Sequence, residues 1–252
     1  MPIDLADTKV LVTGASRGIG RAVAESVAEA GGTVGVHYRE RAEEARSVAE
    51  RIGRGARIFQ ADFSEAGAAG RLWQQVLEAF GRIDGLVNNA GMARGIPIDA
   101  EEERWHRVWD ETMAVNLGAA AELSRRAVAH FTGEGGGRIV TVASRAAFRG
   151  DEPEYLAYAA SKGGLVALTR SIARGFGEEG VRAFVLAPGY TDTEMIEPFV
   201  ERYGREIAEE DAVLDRMTRP EDVAPTAAFL LSGAADHATG TTIDINAGSY
   251  IH

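Results

Sequence analysis

Apolar residues in this chain follow two rhythms that alternate from one end to the other. Brief, β-branched runs at 10–12, 33–37, 56–60, 83–88, 138–142, 181–186 and 241–245 read as strands. Between them, apolar residues return every three or four positions over 21–30, 41–52, 66–80, 100–131, 155–176 and 220–231, as in helices with one buried face. Gly81 suits the end of the third helix, and Pro220-Glu221-Asp222 the start of the last. The region 100–131 reads as two helices meeting near Thr112. Strands alternating with helices imply parallel pairing through right-handed crossovers. The expected fold is α/β, a doubly wound, seven-stranded parallel sheet with helices on both faces. No repeat or Pro/Ser-rich linker divides residues 1–252, so a single domain is expected. In such sheets a ligand sits beyond the carboxyl ends of the strands, where the strand order reverses.

The first strand and first helix are joined by Thr13-Gly14-Ala15-Ser16-Arg17-Gly18-Ile19-Gly20. Backbone N–H groups and the dipole at a helix's first turn hold phosphate. Gly14 permits a tight turn, Gly18 lets a pyrophosphate approach the backbone, and Gly20 lets the helix pack closely. Glycine patterns also serve plain turns; the strand–loop–helix setting favours a nucleotide.

Composition narrows the classes. Of 252 residues, 45% are hydrophobic and 26% charged, ordinary for a globular chain with a sizeable core. A net charge of −11 disfavours nucleic acid and anionic membrane as partners. With no cysteine, disulfides, thiolate catalysis and Cys-based metal sites are excluded. The five histidines lack metal-ligand spacing, so no metal is expected, and Trp105/Trp109 read as helix packing. No apolar run reaches the length of a membrane span, and no signal peptide is visible, so a cytoplasmic protein is expected.

Tyr158 and Lys162 stand four apart, on one face of a helix. That helix follows the strand ending near Ser144, and Asn116 lies on the helix before that strand. Together these features resemble the classical short-chain dehydrogenase/reductase family over essentially the whole chain. Thr13-Gly14, Gly18-Ile19-Gly20 match its cofactor loop, with Ser16 and Arg17 inside it; Asn88-Asn89-Ala90-Gly91 matches its fourth-strand motif. Asn116, Ser144, Tyr158 and Lys162 match its catalytic tetrad, and Pro188-Gly189 with Thr191 its nicotinamide-side segment. Arg219-Pro220-Glu221-Asp222-Val223-Ala224 resembles its late helix start. Fourteen positions separate Ser144 from Tyr158, slightly more than usual, which places extra acidic groups of the 149–153 loop near the cleft mouth.

The resemblance implies a Rossmann-type oxidoreductase that interconverts a ketone and a secondary alcohol with a nicotinamide cofactor. Tyr158 would be acid/base, Lys162 pKa depressor and ribose ligand, Ser144 donor to the carbonyl, and Asn116 holder of a water beside Lys162. Tyrosine's pKa of about 10 is too high for work near neutrality. A cation at about 4 Å with an effective dielectric of about 20 is worth roughly 4 kcal/mol, up to about three pKa units, which burial opposes. Asp62, followed by Phe63, resembles the family's adenine-contacting acid, although a turn-capping Asp is the plainer alternative; Asn88 and Asn89 also suit backbone capping at a strand end.

At the end of the second strand, where an NAD-preferring protein places an acid, stands Tyr38, followed by Arg39. Arg39 and Arg17 offer planar forks to a 2′-phosphate, so NADP(H) is the expected cofactor. Glu40, about 20 residues beyond Gly20, keeps NAD(H) open. The substrate loop is expected over 191–217, with Asp192, Glu194, Glu197, Glu201, Glu206, Glu209, Glu210 and Asp211, a balance unfavourable to a strongly acidic substrate. An alternative substrate is a 3-oxoacyl group on acyl carrier protein, against which Glu178-Glu179 and Glu134 would form an unfavourable acidic rim. A redox sensor that binds NADP without turnover is the alternative from another class. The small residues Ala119–Ala121, Ala159, Ala160, Gly163, Gly164 and Ala167, on the two long helices that pair in similar proteins, suggest a homotetramer.

Overall fold

The computed structural model describes residues 3–251, so His252 lies outside the described residues. Seven parallel strands form one sheet in the order β3-β2-β1-β4-β5-β6-β7. They are β1 Lys9–Val12, β2 Thr33–Tyr38, β3 Arg57–Gln60, β4 Gly85–Asn88, β5 Gly137–Val142, β6 Val181–Pro188 and β7 Thr242–Ile245. The order runs outward from β1 to β3 and resumes on the other side at β4, so the switch point lies between β1 and β4.

Helices cover both faces: α1 Gly18–Glu29, α2 Ala42–Ile52, α3 Ala68–Phe80, α4 Glu102–Met113, α5 Ala119–Gly133, α6 Ala146–Arg149, α7 Leu156–Gly175, α8 Glu197–Tyr203, α9 Arg205–Glu210 and α10 Pro220–Leu231. Strand alternation sorts the core. Val10 and Val12 of β1 pack with α1, α2 and α10, for instance on Val23, Val48 and Leu230. Leu11 turns to the opposite face, among Leu72 and Val76 of α3 and Leu123 and Phe131 of α5. Burial on both faces explains why the central strands read as nearly continuous apolar runs.

The expected elements are found within about two residues at most boundaries, which is the usual scatter of helix ends. Gly81 caps α3 at φ 73°. The region 100–131 holds the two expected helices. As expected, one helix ends beside Thr112, at Met113, but the junction is not a break: α4 runs into α5 through a π-helical turn, Ala114–Gly118, that holds Asn116. The short helices α6, α8 and α9 lie in stretches with no clear period and were not expected. Paired residues Thr191 and Thr218 pin the two ends of the loop that holds α8 and α9. Ile196, Phe199, Ala208 and Met217 give that loop a small core of its own.

Candidate active site

The cleft opens at the switch point, about 790 Å³ in volume, between the glycine loop, the ends of β2 and β3, and the 191–217 loop. Gly14 at φ 65° and Gly18 at φ 55° adopt the left-handed conformation that favours glycine. Helix α1 starts with no side-chain cap and no acid in its first turn. Its first backbone bond is Arg21 N–H to Arg17 O, so the N–H groups of Gly18, Ile19 and Gly20 precede the helical ladder. These donors fit a pyrophosphate. Gly20 has a further reason: a Cβ there would lie 2.3 Å from Gly14 O and 2.4 Å from Asn89 Nδ2. The close approach is to the loop and Asn89, rather than to the sheet at large.

Asn89 fastens the loop across the switch point. Its Nδ2 donates to Thr13 O at 2.8 Å and to Gly14 O at 3.2 Å. Asn89 and Ala90 N–H both donate to Thr13 Oγ1, at 2.9 and 3.0 Å. Asn88 turns into the interior and donates to Ser124 Oγ.

His37 fastens the other side, a role the sequence did not reveal. Gly14 N–H donates to His37 Nδ1 at 2.9 Å, which leaves the ring proton on Nε2, 3.1 Å from Ala61 O. The ring stacks on Phe63, 4.4 Å between centroids. Burial lowers its pKa to about 4, against the opposing pulls of Ala61 O and Asp62. Asp62 itself accepts from Ser64 N–H and Oγ, the turn-capping alternative, and still lines the cleft with Tyr38 and Phe63.

The four candidate reactive residues converge behind Gly91, which lines the cleft. A Cβ on Gly91 would meet Asn116 Oδ1 at 3.4 Å and Lys162 Nζ at 3.5 Å. Asn116 is fully buried; its Oδ1 accepts from Met92 N–H, and its Nδ2 donates to Met92 O and Ser161 Oγ. Both amide hydrogens are therefore engaged inside the chain. Ser144 Oγ accepts from Ala146 N–H, capping a strand end, and also hydrogen-bonds Tyr158. Buried Lys162 donates from Nζ to Val142 O at 2.9 Å, with Nζ 5.6 Å from the Tyr158 ring centre.

The charge balance here differs from the sequence-based expectation. Burial raises Tyr158 to about 12; the Ser144 hydrogen bond opposes this and Asp151 adds to it. Burial also lowers Lys162 to about 8. Desolvation thus outweighs the ammonium, which is turned to a carbonyl rather than to the phenol. Asp151 belongs to the 149–153 loop, and burial holds its carboxyl above its usual range.

Pro188, Gly189 and Thr191 lie at the end of β6, joined to the Ser144 segment by Arg145 N–H to Pro188 O. The next residues, Asp192, Thr193, Glu194 and Met195, reach the cleft lining. Arg39 is paired with Glu40 at 2.9 Å. The arginine facing Arg17 across Glu194 is Arg41, at the head of α2. Glu134, Glu178 and Glu179 precede β5 and β6, where Gly137 N–H meets Gly180 O. That is the amino-terminal end of the sheet, opposite the cleft, so the expected acidic rim is corrected.

A family model described as enoyl-(acyl carrier protein) reductase matches residues 14–250. The 3-oxoacyl-[acyl-carrier-protein] reductase FabG of Staphylococcus aureus is 33% identical over 96% of this chain and 97% of its own. The 3beta-hydroxysteroid dehydrogenase 1 of Eggerthella lenta is 34% identical over 99% and 96%. A crystal structure of a dehydrogenase/reductase from Sinorhizobium meliloti 1021 matches with TM-score 0.90 at 33% identity, covering 99% of this chain and 98% of that one. A candidate NAD(P) dependent gluconate 5-dehydrogenase from Beutenbergia cavernae, solved with NADP at low occupancy, matches with TM-score 0.89 at 35% identity, each chain covered to 99%. With the cleft, the glycine loop and these relatives in agreement, the chain belongs to the short-chain dehydrogenase/reductase family of oxidoreductases, which act on CH–OH and C=O groups with NAD(P).

Proposed function

We propose that this protein interconverts a ketone and a secondary alcohol with NADP(H) as preferred cofactor, acting as one domain whose 191–217 loop covers the substrate. The observation that carries the reading is the convergence of Asn116, Ser144, Tyr158 and Lys162 beside the cleft at the switch point. The cofactor, when bound, takes up or supplies a hydride. Gly14, Ser16, Arg17, Gly18, Ile19 and Gly20 would hold its pyrophosphate; Tyr38, Arg39, Arg41, Asp62 and Phe63 its adenosine half; Asn89, Ala90, Gly91, Pro188, Gly189 and Thr191 the nicotinamide side. Tyr158, protonated through neutrality at a pKa of about 12, gives its proton to the carbonyl oxygen as an alkoxide develops. Ser144 donates a hydrogen bond to the same oxygen. Lys162 would hold the ribose, while Asn116, bonded to both polar atoms of Met92 and to Ser161, fixes the turn beside it. The intact set speaks for turnover rather than for a non-catalytic sensor. NADP(H) is favoured by the arginines at the nucleotide end and by the absence of an acid at Tyr38.

Tyr158→Phe tests the reading. It should lower kcat by about 10²–10⁴ while cofactor Kd stays within about threefold, since only the proton donor is lost. Retention of more than about a tenth of wild-type turnover would refute it. A second reading, reduction of 3-oxoacyl groups on acyl carrier protein, is favoured by likeness to FabG and by removal of the acidic rim from the cleft side. Comparing kcat/KM for a 3-oxoacyl thioester with that for simple ketones separates the two. We place the protein in the cytoplasm as a homotetramer; no helix among the described residues is long and apolar enough to cross a membrane.

A further inference from the structure

The substrate loop touches the nucleotide end of the cleft through one carboxylate. Glu194 accepts from Arg41 Nη1 at 3.0 Å and from Nη2 at 2.6 Å, the two-pronged geometry in which a guanidinium holds a carboxylate or a phosphate. Arg17 Nη1 donates to the same carboxylate. A residue of the glycine loop and one at the head of α2 therefore clasp a single anion, and all three side chains line the nucleotide cleft. Burial opposes ionisation of Glu194, but Arg41 and Arg17 outweigh it and hold the carboxyl below its usual range.

Resting on the reading that this cleft takes NADP(H), we infer that Glu194 is a specificity-determining residue of the cofactor site, an internal stand-in for the ribose 2′-phosphate that occupies Arg17 and Arg41 until the phosphate displaces it. Carboxylate and phosphate compete for the same donors, and two anions at one fork repel each other. NAD(H) presents a 2′-hydroxyl with no charge to compete, so Glu194 keeps both arginines and the loop stays tied across the adenosine end. NADP(H) unties that corner alone. Asp192 remains paired with Arg205 and Asp211 with Arg145, so the rest of the loop is still anchored. The clasp is also weak enough to yield: the three side chains are 40% to 50% exposed, and exposed pairs are worth little individually. Loss of the Glu194 carboxylate should therefore favour the phosphorylated nucleotide selectively.

Calorimetric titration of the cofactor-free protein with 2′,5′-ADP and 5′-AMP tests this without turnover. Glu194→Gln should tighten 2′,5′-ADP by about three- to tenfold and leave 5′-AMP within about twofold. The gain should vanish when Glu194→Gln is combined with Arg41→Ala. An equal change for both nucleotides would show a general field effect and overturn the inference, as would unchanged or weaker 2′,5′-ADP binding. If the wild type prefers 2′,5′-ADP and Glu194→Gln does not raise that preference, only this inference falls. If neither form binds 2′,5′-ADP more tightly than 5′-AMP, the NADP reading falls as well.

Discussion

At the scale of single residues, His37 shows how a buried titratable group governs a backbone loop. It is 2% exposed, and its neutral ring both accepts from Gly14 and faces Ala61 O. The folded protein keeps it neutral down to about pH 4, whereas the unfolded chain protonates it near 6.5. Between those values the unfolded state binds more protons. This contribution to stability is thus complete above about pH 6.5 and is lost as pH falls towards 4. The window corresponds to about 3 kcal/mol at about 1.36 kcal/mol per unit. Denaturant midpoints from pH 7 to pH 4 should fall more steeply for the wild type than for His37→Asn. Parallel profiles would exclude His37 as the source. Asp62 adds its own loss at lower pH, because Ser64 holds its carboxyl below the usual range.

At the scale of elements, the glycine loop and the 191–217 loop respond to different changes. The glycine loop is held by contact. Gly20→Ala would drive a methyl to within 2.3 Å of Gly14 O, and such overpacking costs about 1–3 kcal/mol. A lower Tm and at least about tenfold weaker NADP binding should follow; unchanged calorimetric binding would show that the loop yields. The 191–217 loop, besides its small apolar core, is tied down by charge. Buried Arg145 pairs with Asp211 at the end of α9, and its guanidinium lies 4.2 Å from the Tyr190 ring centre. Asp211→Asn leaves that buried cation without its counter-charge. Because Asp211 is a third exposed, the cost should be about 1–3 kcal/mol, below that of a fully buried pair. Limited proteolysis should then cut within 191–217 faster than in the wild type. The π-helical turn at Ala114–Gly118 is a third device. It lets Asn116 meet both polar atoms of Met92 and Ser161 at once, a distortion common at functional sites.

At the scale of the whole molecule, the small residues on the long helices divide between two uses. Ala119 and Ala120 are buried in the chain's own core, and a Cβ on Gly164 would meet Leu117 at 2.7 Å. Ala160 and Ala167 remain exposed on α7 and are available for a neighbouring helix. Light scattering at micromolar concentration should give four times the 26.8 kDa chain mass, and Ala167→Arg should reduce it. A monomer mass for the wild type would refute the tetramer. The net charge of −11 should leave this behaviour without affinity for nucleic acid.

Hydrophobic period alone carried the α/β class, the seven strands and the alternation of layers, because each follows from which face of a local element must leave water. The glycine loop and the Tyr158/Lys162 pair were legible for the same reason, their geometry being set within a few residues of chain. Other features arise between distant segments. His37 meets Gly14 across two strands, Arg41 meets Glu194 across 153 positions, and Glu134 and Glu178 fall at the far end of the sheet from the cleft. The pKa values of Tyr158 and Lys162 also belong to this class. Spacing put the pair on one helix face, but only the packed surroundings decided that desolvation would outweigh their mutual charge.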